Sequence, residues 1–368
     1  MEQKTGNIKH QHRFKSIDAL RGIAALLVMI LHISHAFLVA PRIKATGHGI
    51  EDFFDIIDFG RIGITIFFII SGFVICKSFN DKQRELKGFL IKRFFRLFPL
   101  FWFSVLASAI FMWIIPGKSF SISMLLANIT MLPAFLGEEF MIGLYWSLET
   151  ELIFYVLASI LYFFGVLKKP VVLIGLTIML YGLVAIFQFM PNLSPALPHW
   201  KATPYHLGLM LMGVSLRYAF DAKSQDNYQK GPLSLGQWSY LHILILCAVP
   251  AAILILNVAI GFGDNLLQDS YAYLLGIIIF LIGQSLLKSS PSWLVHLGTI
   301  SYSLYLLHPV VFIVIKRFVA KTSAMHGWHI SIYIIICCLI TILVSHWTYK
   351  LIEKPANIVG RKLASKIA

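Results

Sequence analysis

About ten stretches of this 368-residue sequence are apolar over the roughly 20 residues needed to cross a hydrocarbon core. They run near 18–40, 60–79, 94–116, 147–166, 170–189, 203–220, 239–260, 270–287, 298–318 and 329–352. In lipid every backbone polar group must be paired inside the protein, so each stretch reads as a helix. Together they predict an all-α polytopic membrane protein, a bundle of about ten transmembrane helices. Composition agrees: 13% of residues are charged, against about 25% in soluble domains. The mixed segment 119–146 reads as a re-entrant or interfacial piece, because irregular backbone at membrane depth needs protein or water around it.

The net charge of +14 follows the loops. With the N-terminus placed in the cytoplasm, about 23 of the 31 Lys and Arg residues fall on the inner side. An even number of crossings returns the basic C-terminal tail, 354–368, to the same side. This pattern explains the charge without nucleic acid, for which no soluble basic domain exists. The polar tail 1–16 precedes a first span too long for a signal-peptide core, so that span is expected to be retained. The cysteines, Cys76, Cys247, Cys337 and Cys338, lie in or beside apolar runs without metal-ligand spacing, and no metal is expected. No linker or repeat divides the chain, which reads as one membrane domain over 1–368 without a fused soluble domain.

The first span carries chemistry. In "RGIAALLVMILH", Arg21 and His32 are eleven residues apart, about 20° past three helical turns and about 16 Å along the axis. They share a face. Asp18 lies one turn before Arg21 and can brace it; His35 lies one turn beyond His32. An arginine at a helix end also snorkels to headgroups, and a lone histidine also bonds a neighbouring helix. A full polar stripe, however, faces a bundle interior or a wet path.

Further constellations recur along the chain. In 60–73, "GRIGITIFFIISGF", the residues Gly60, Gly63, Ser71 and Gly72 allow close helix approach. In "KRFFRLFPLFW", Arg93 and Arg96 lie on neighbouring positions of one face and suit phosphate, and Pro99 bends or begins the span. In "YWSLETELIFY", Trp146 and Ser147 stand beside Glu149 and Glu151, which point to different faces, so that one of the two turns to the bundle. In "SYSLYLLHP", Ser301, Tyr305 and His308 form a stripe, and Pro309 frees a carbonyl. In "YKLIEKP", Glu353 sits among basic groups as a partner for Arg93 or Arg96. Trp200, Tyr205 and Trp328 are loop aromatics able to stack on sugar rings or to serve as interfacial belt residues.

Taken in order from Ser16 to Pro355, six of these features resemble the membrane acyltransferase-3 family of bacterial sugar O-acyltransferases. They are the Arg21–His32 pair, "FFIISGF", Arg93-x-x-Arg96-x-x-Pro99, "WSLETE", "SLYLLHP" and "IEKP". The resemblance implies transfer of an acyl group, usually acetyl, from cytoplasmic acyl-CoA to a hydroxyl of an extracytoplasmic glycan or lipid-linked saccharide. The setting it implies is the bacterial inner membrane. It maps essential roles onto Arg21 and His32, supporting roles onto Arg93 and Arg96, and the motif glutamate onto Glu151. Thr65 stands where many relatives carry Asp, a departure that bears on acceptor choice.

The reading that combines residues and resemblance makes Arg21, Arg93 and Arg96 the holders of the donor phosphates at the cytoplasmic mouth. His32 is then the general base, and Glu151 orients the histidine or the sugar. Ser147 is a candidate for an acyl relay. Acetyl-CoA enters as donor substrate, with no permanently bound cofactor. A transporter of a small solute or saccharide would use similar polar stripes, but it calls for paired halves that the sequence does not display.

Overall fold

A computed structural model describes residues 15–47, 57–76, 84–114, 120–189, 202–223, 234–260, 264–322 and 325–367. The extreme N-terminal tail, Trp200 and most of the basic loops after 76 and 223 lie outside the described residues. The helices are α1 (Lys15–Leu38), α2 (Phe59–Ile75), α3 (Arg84–Ile114), α4 (Ile122–Ile129), α5 (Trp146–Phe163), α6 (Pro170–Phe189) and α7 (Thr203–Lys223). They continue with α8 (Leu235–Ile260), α9 (Asp264–Leu286), α10 (Ser292–Thr299), α11 (Ser301–Lys321), α12 (Ile330–Thr348) and α13 (Lys354–Ile367). A π turn, Tyr349–Glu353, joins the last two.

A helix occupies each of the ten apolar stretches. Six helical runs among the described residues are long and apolar enough to cross a membrane, and three more are apolar but shorter. The chain is therefore a multi-pass membrane protein. Its outer faces show why: Leu106 and Ile110 on α3, and Ile335, Leu339 and Leu343 on α12, are exposed at helical spacing and meet lipid.

Apolar side chains gain little by leaving lipid for each other, so close backbone approach must hold such a bundle together. Gly72 of α2 supplies it: a Cβ there would stand 1.8 Å from the carbonyl oxygen of Met210 on α7. Gly298 of α10 does the same against α1, where a Cβ would stand 1.7 Å from the Asp18 carbonyl. Thus α1 is gripped by α2, α10, α11 and α12, and Asp18, Arg21 and His32 of its polar stripe are turned inward, whereas His35 is exposed. Of the small residues expected at helix contacts, Ser71 serves differently, donating a hydrogen bond to Glu151 (2.6 Å).

Polar pins lock other helices. His242 on α8 is bonded through both ring nitrogens, to Thr177 on α6 (2.8 Å) and Ser215 on α7 (2.8 Å). Pro99 lies in the interior of α3 and so does not begin that helix, which starts fifteen residues earlier at Arg84.

The described part of the segment 119–146, from 120 on, holds no helix of membrane-spanning length: it contains the short α4, then turns and two 3-10 pieces before α5 begins at Trp146. Asn128 ties it: its amide donates to the Met124 and Glu139 carbonyls (2.9 and 2.8 Å), and its carbonyl oxygen accepts from Met141 N–H (3.0 Å). Glu149 accepts from Ala134 N–H in the same loop (3.2 Å).

After α12 comes the π turn, and just past it, in the first turn of α13, Pro355 lacks the N–H that a regular ladder would use. The amphipathic α13 then lies on the first half of α3. The basic tail read from the sequence is helical as far as Ile367.

Candidate active site

Three neighbouring cavities run through the bundle. At the end where α1 begins, a mouth of about 400 Å³ is lined by Lys92, Arg93, Arg96, Tyr349, Lys354, Asn357 and Arg361. Next comes a throat of about 70 Å³ whose walls include Arg21, Ser71, Arg96, Ser147, Glu151 and Tyr305. Beyond it opens a chamber of about 370 Å³ whose walls include His32, Asp58, Arg61, Trp146, His206 and Tyr305. Arg96 belongs to both mouth and throat, and Ile64 and Tyr305 to both throat and chamber.

The mouth gathers five cations from two elements. Lys92, Arg93 and Arg96 come from α3, and Lys354 and Arg361 from α13, where they are seven residues, or two turns, apart. Arg93 lies over the rings of Phe89 (5.2 Å) and Tyr155 (5.0 Å), a cation–π clamp that fixes its plane. Arg21 sits one cavity deeper than the mouth for which the sequence placed it.

In the throat, Asp18 and Glu151 are the carboxylates that act on the charge of Arg21, and Arg96 is a like charge. Glu151 accepts from both Ser71 and Tyr155. Glu353, buried at the π turn, accepts from Ser303 Oγ (2.8 Å) and faces the charges of Arg96 and Arg21. Ser147 and Tyr305 share a hydrogen bond (2.7 Å), and both hydroxyls reach the Leu144 carbonyl (3.1 Å each).

The chamber is organised about two histidines. His32 Nδ1 lies 2.9 Å from His308 Nε2. His308 Nδ1 lies 3.1 Å from the Leu304 carbonyl oxygen. A carbonyl only accepts, so with both rings neutral His308 carries its proton on Nδ1 and its Nε2 accepts. The proton between the rings then belongs to His32 Nδ1, and the lone pair of His32 Nε2 is left for the chamber. This tautomer is assigned from the network.

The structure thus brings His32 and His308 into contact across α1 and α11, a pairing of residues 276 positions apart. No hydrogen bond joins Glu151 to His32; the glutamate stands in the throat with Arg21 and Arg96. Trp146 lines the chamber, 5.1 Å from the ring of His206. His35 is exposed and lines none of the three cavities. Tyr205, read as a loop aromatic, is instead buried in α7, stacked 5.5 Å from Tyr181. Trp328 lies beside Tyr333 in the segment before α12.

The sequence reading missed Lys354, Asn357 and Arg361 in the mouth, and Asp58, Arg61 and His206 in the chamber. The spacing of 354, 357 and 361 was the available signal, since it aligns them on one helical face.

A family model described as an acyltransferase domain, acyltransferase-3, matches residues 14–350. The chain belongs to this family. It is 28% identical over 152 residues to the acyltransferase MdmB of Streptomyces mycarofaciens, covering 39% of this chain and 38% of that protein. It is 22% identical over 403 aligned positions to the putative peptidoglycan O-acetyltransferase YrhL of Bacillus subtilis strain 168, covering 97% of this chain and 57% of that one. The chain therefore spans well under two thirds of either relative. No solved structure matches it.

Proposed function

We propose that the protein is a membrane O-acyltransferase that takes an acetyl group from cytoplasmic acetyl-CoA and gives it to a hydroxyl of an extracytoplasmic glycan. In this reading the ten helices of the apolar stretches cross the bacterial inner membrane, both termini are cytoplasmic, and the basic mouth opens to the cytoplasm. The observation that carries the proposal is the cavity series: five cations at one end, a thin throat, and His32 at the other end.

Each cavity suits one part of the donor. The cations of the mouth suit the nucleotide phosphates, which arginine forks bind with charge-assisted hydrogen bonds. The throat admits a thin pantetheine arm but no bulkier group. Arg21 lines the throat and His32 the chamber, about 16 Å apart on one helix face, so the arm delivers the thioester to the histidine.

His32 Nε2 then removes the proton of the acceptor hydroxyl as its oxygen attacks the thioester carbonyl. The tetrahedral species collapses, the C–S bond breaks, and the imidazolium returns the proton to the departing thiolate. Throughout, His32 Nδ1–H stays bonded to neutral His308. That bond steadies the transient positive charge and holds the ring in one tautomer. Ser147 is given no covalent step, because its hydroxyl is already engaged by Tyr305 and Leu144.

The test is transfer of labelled acetyl from acetyl-CoA in liposomes containing the protein and a cell-surface glycan extract. Wild type should label the glycan. His32→Ala should lose roughly 10²- to 10⁴-fold in rate, the contribution of a positioned base, while still binding acetyl-CoA. Full activity in the variant would remove His32 from the chemistry. Absence of acetyl-CoA binding in wild type would favour solute passage through the same cavities.

A further inference from the structure

We infer that the chamber is an acceptor subsite for a neutral sugar ring, a polyol without carboxylate or phosphate, held by Asp58, Arg61, Trp146 and His206 opposite His32. This rests on the reading above, in which the acceptor hydroxyl meets His32 in that cavity. Its charge, its unfilled hydrogen bond and its size argue for the same kind of ligand.

Charge comes first. Arg61 is the lone Lys or Arg in the chamber wall among the described residues. Its Nε lies 3.2 Å from an Asp58 carboxylate oxygen and 2.9 Å from an Asp269 carboxylate oxygen. One cation is shared by two anions, Asp58 in the wall and Asp269 behind it, so this group of three carries a formal charge of −1. An acidic sugar would meet repulsion there without an unpaired cation to hold it. A neutral hydroxyl, by contrast, finds a carboxylate acceptor in Asp58, which is only partly buried.

The hydrogen-bond chain from Arg61 defines the second feature. Arg61 Nη1–H donates to the Tyr273 hydroxyl (3.2 Å). That hydroxyl lies 2.8 Å from His206 Nε2; because it already accepts from Arg61, it is assigned from the network as the donor there, which places the His206 proton on Nδ1. The residue is 3% exposed and lines the chamber, and Nδ1 has no partner among the described residues. A buried N–H left unpaired is costly, and an ether or hydroxyl oxygen of a ligand removes that cost once a small turn of the ring brings Nδ1 to the cavity surface.

The remaining walls are apolar. Trp146, Phe312 and Pro309 offer surface to the C–H face of a ring, while Asp58 and His206 serve its polar edge. At about 370 Å³ the chamber is at the small end of ligand sites, which run roughly from 300 to 1,000 Å³, and suits one ring.

The experiment measures binding of methyl glucoside, galactoside and mannoside, each beside its uronate, to the full chain in nanodiscs by saturation-transfer NMR. At least one neutral hexoside should bind, and its uronate should bind roughly tenfold more weakly. Asp269→Asn lies outside the chamber wall and removes one negative charge, so it should bring the pair to within about threefold. His206→Phe keeps the ring packing but loses the donor, and should weaken the neutral hexoside about threefold to tenfold. Failure of every neutral hexoside to bind overturns the inference. So does equal binding of the uronates, or a preference untouched by Asp269→Asn. Binding of labelled acetyl-CoA to the same samples reads the donor side separately, so loss of the sugar result with acetyl-CoA still bound overturns this inference alone.

Discussion

The mouth and the chamber are of similar volume, yet their charges are arranged in opposite ways. In the mouth five cations gather without a carboxylate among the lining residues. In the chamber the single arginine is shared by two carboxylates, and hydrogen bonds extend its order to Tyr273 and His206. Clustered like charges repel until an anion arrives, so the mouth is built to be completed by a polyanion. On the inference above, an arginine already matched by two carboxylates gains nothing from a further anion, and that end favours hydrogen bonds. On that reading one bundle presents two ligand chemistries at its two ends, with α1 and α2 lining the chamber and the throat that leads to the mouth.

The substitution with the largest expected effect abolishes the comparison. Gly72→Ala forces a Cβ to within 1.8 Å of the Met210 carbonyl, so α2 must part from α7. Overpacking of this kind costs about 1–3 kcal/mol or more. Thermal melts in detergent should fall, and acetyl-CoA and sugar binding should weaken together. Weakening at one end only would mean that α2 does not couple the two cavities.

The next substitution acts on the chamber alone. His308→Phe removes the acceptor for His32 Nδ1–H and frees the ring to take the wrong tautomer. The turnover number should drop roughly tenfold to a hundredfold, a fraction of what a general base supplies, while KM for acetyl-CoA stays put. A KM effect instead would move His308 from the chemistry to donor binding. Smallest is the double variant Lys354→Ala with Arg361→Ala, on the rim of the mouth. KM for acetyl-CoA should rise about threefold to tenfold with turnover unchanged, and the effect should shrink in high salt. Insensitivity to both substitutions would confine donor binding at the mouth to Lys92, Arg93 and Arg96.

What the sequence disclosed, and what it hid, follows from the range of the interactions. The shared face of Arg21 and His32 was legible because helical periodicity is local, and lipid permits few alternatives to a helix. That Glu149 and Glu151 differ in facing was legible for the same reason, but the choice of Glu151 for the site came from the family resemblance, and Glu149 proves to be buried as well. Two residues apart they face differently, and one is bonded to the loop at Ala134 while the other lines the throat. The His32–His308 bond was not legible, since it joins helices whose packing depends on contacts such as Gly298 against Asp18. Histidines show the limit plainly. His242 and His32 both sit in apolar runs, yet both nitrogens of His242 are consumed by Thr177 and Ser215, whereas His32 keeps one for the chamber. Tyr205 misled because, although inside the apolar stretch 203–220, it stands so near the start of that stretch that it reads with the outer loop; α7 begins two residues before it. The basic face of α13 was hidden behind the general excess of cations on one side of membrane proteins, a pattern that needs no ligand to explain it.

The pinch between the two cavities has a consequence for the cell as a whole. An enzyme with reactants on opposite sides of an energised membrane is a candidate short circuit, because any continuous column of water through it dissipates the ion gradient. Here the column is interrupted by about 70 Å³ of throat, room for a few water molecules, where Tyr305 and Ser147 are bonded across the gap and the guanidinium of Arg21 stands in the way of cations. On the proposed reading, the constriction that passes a slender acyl carrier would serve as electrical insulation as well.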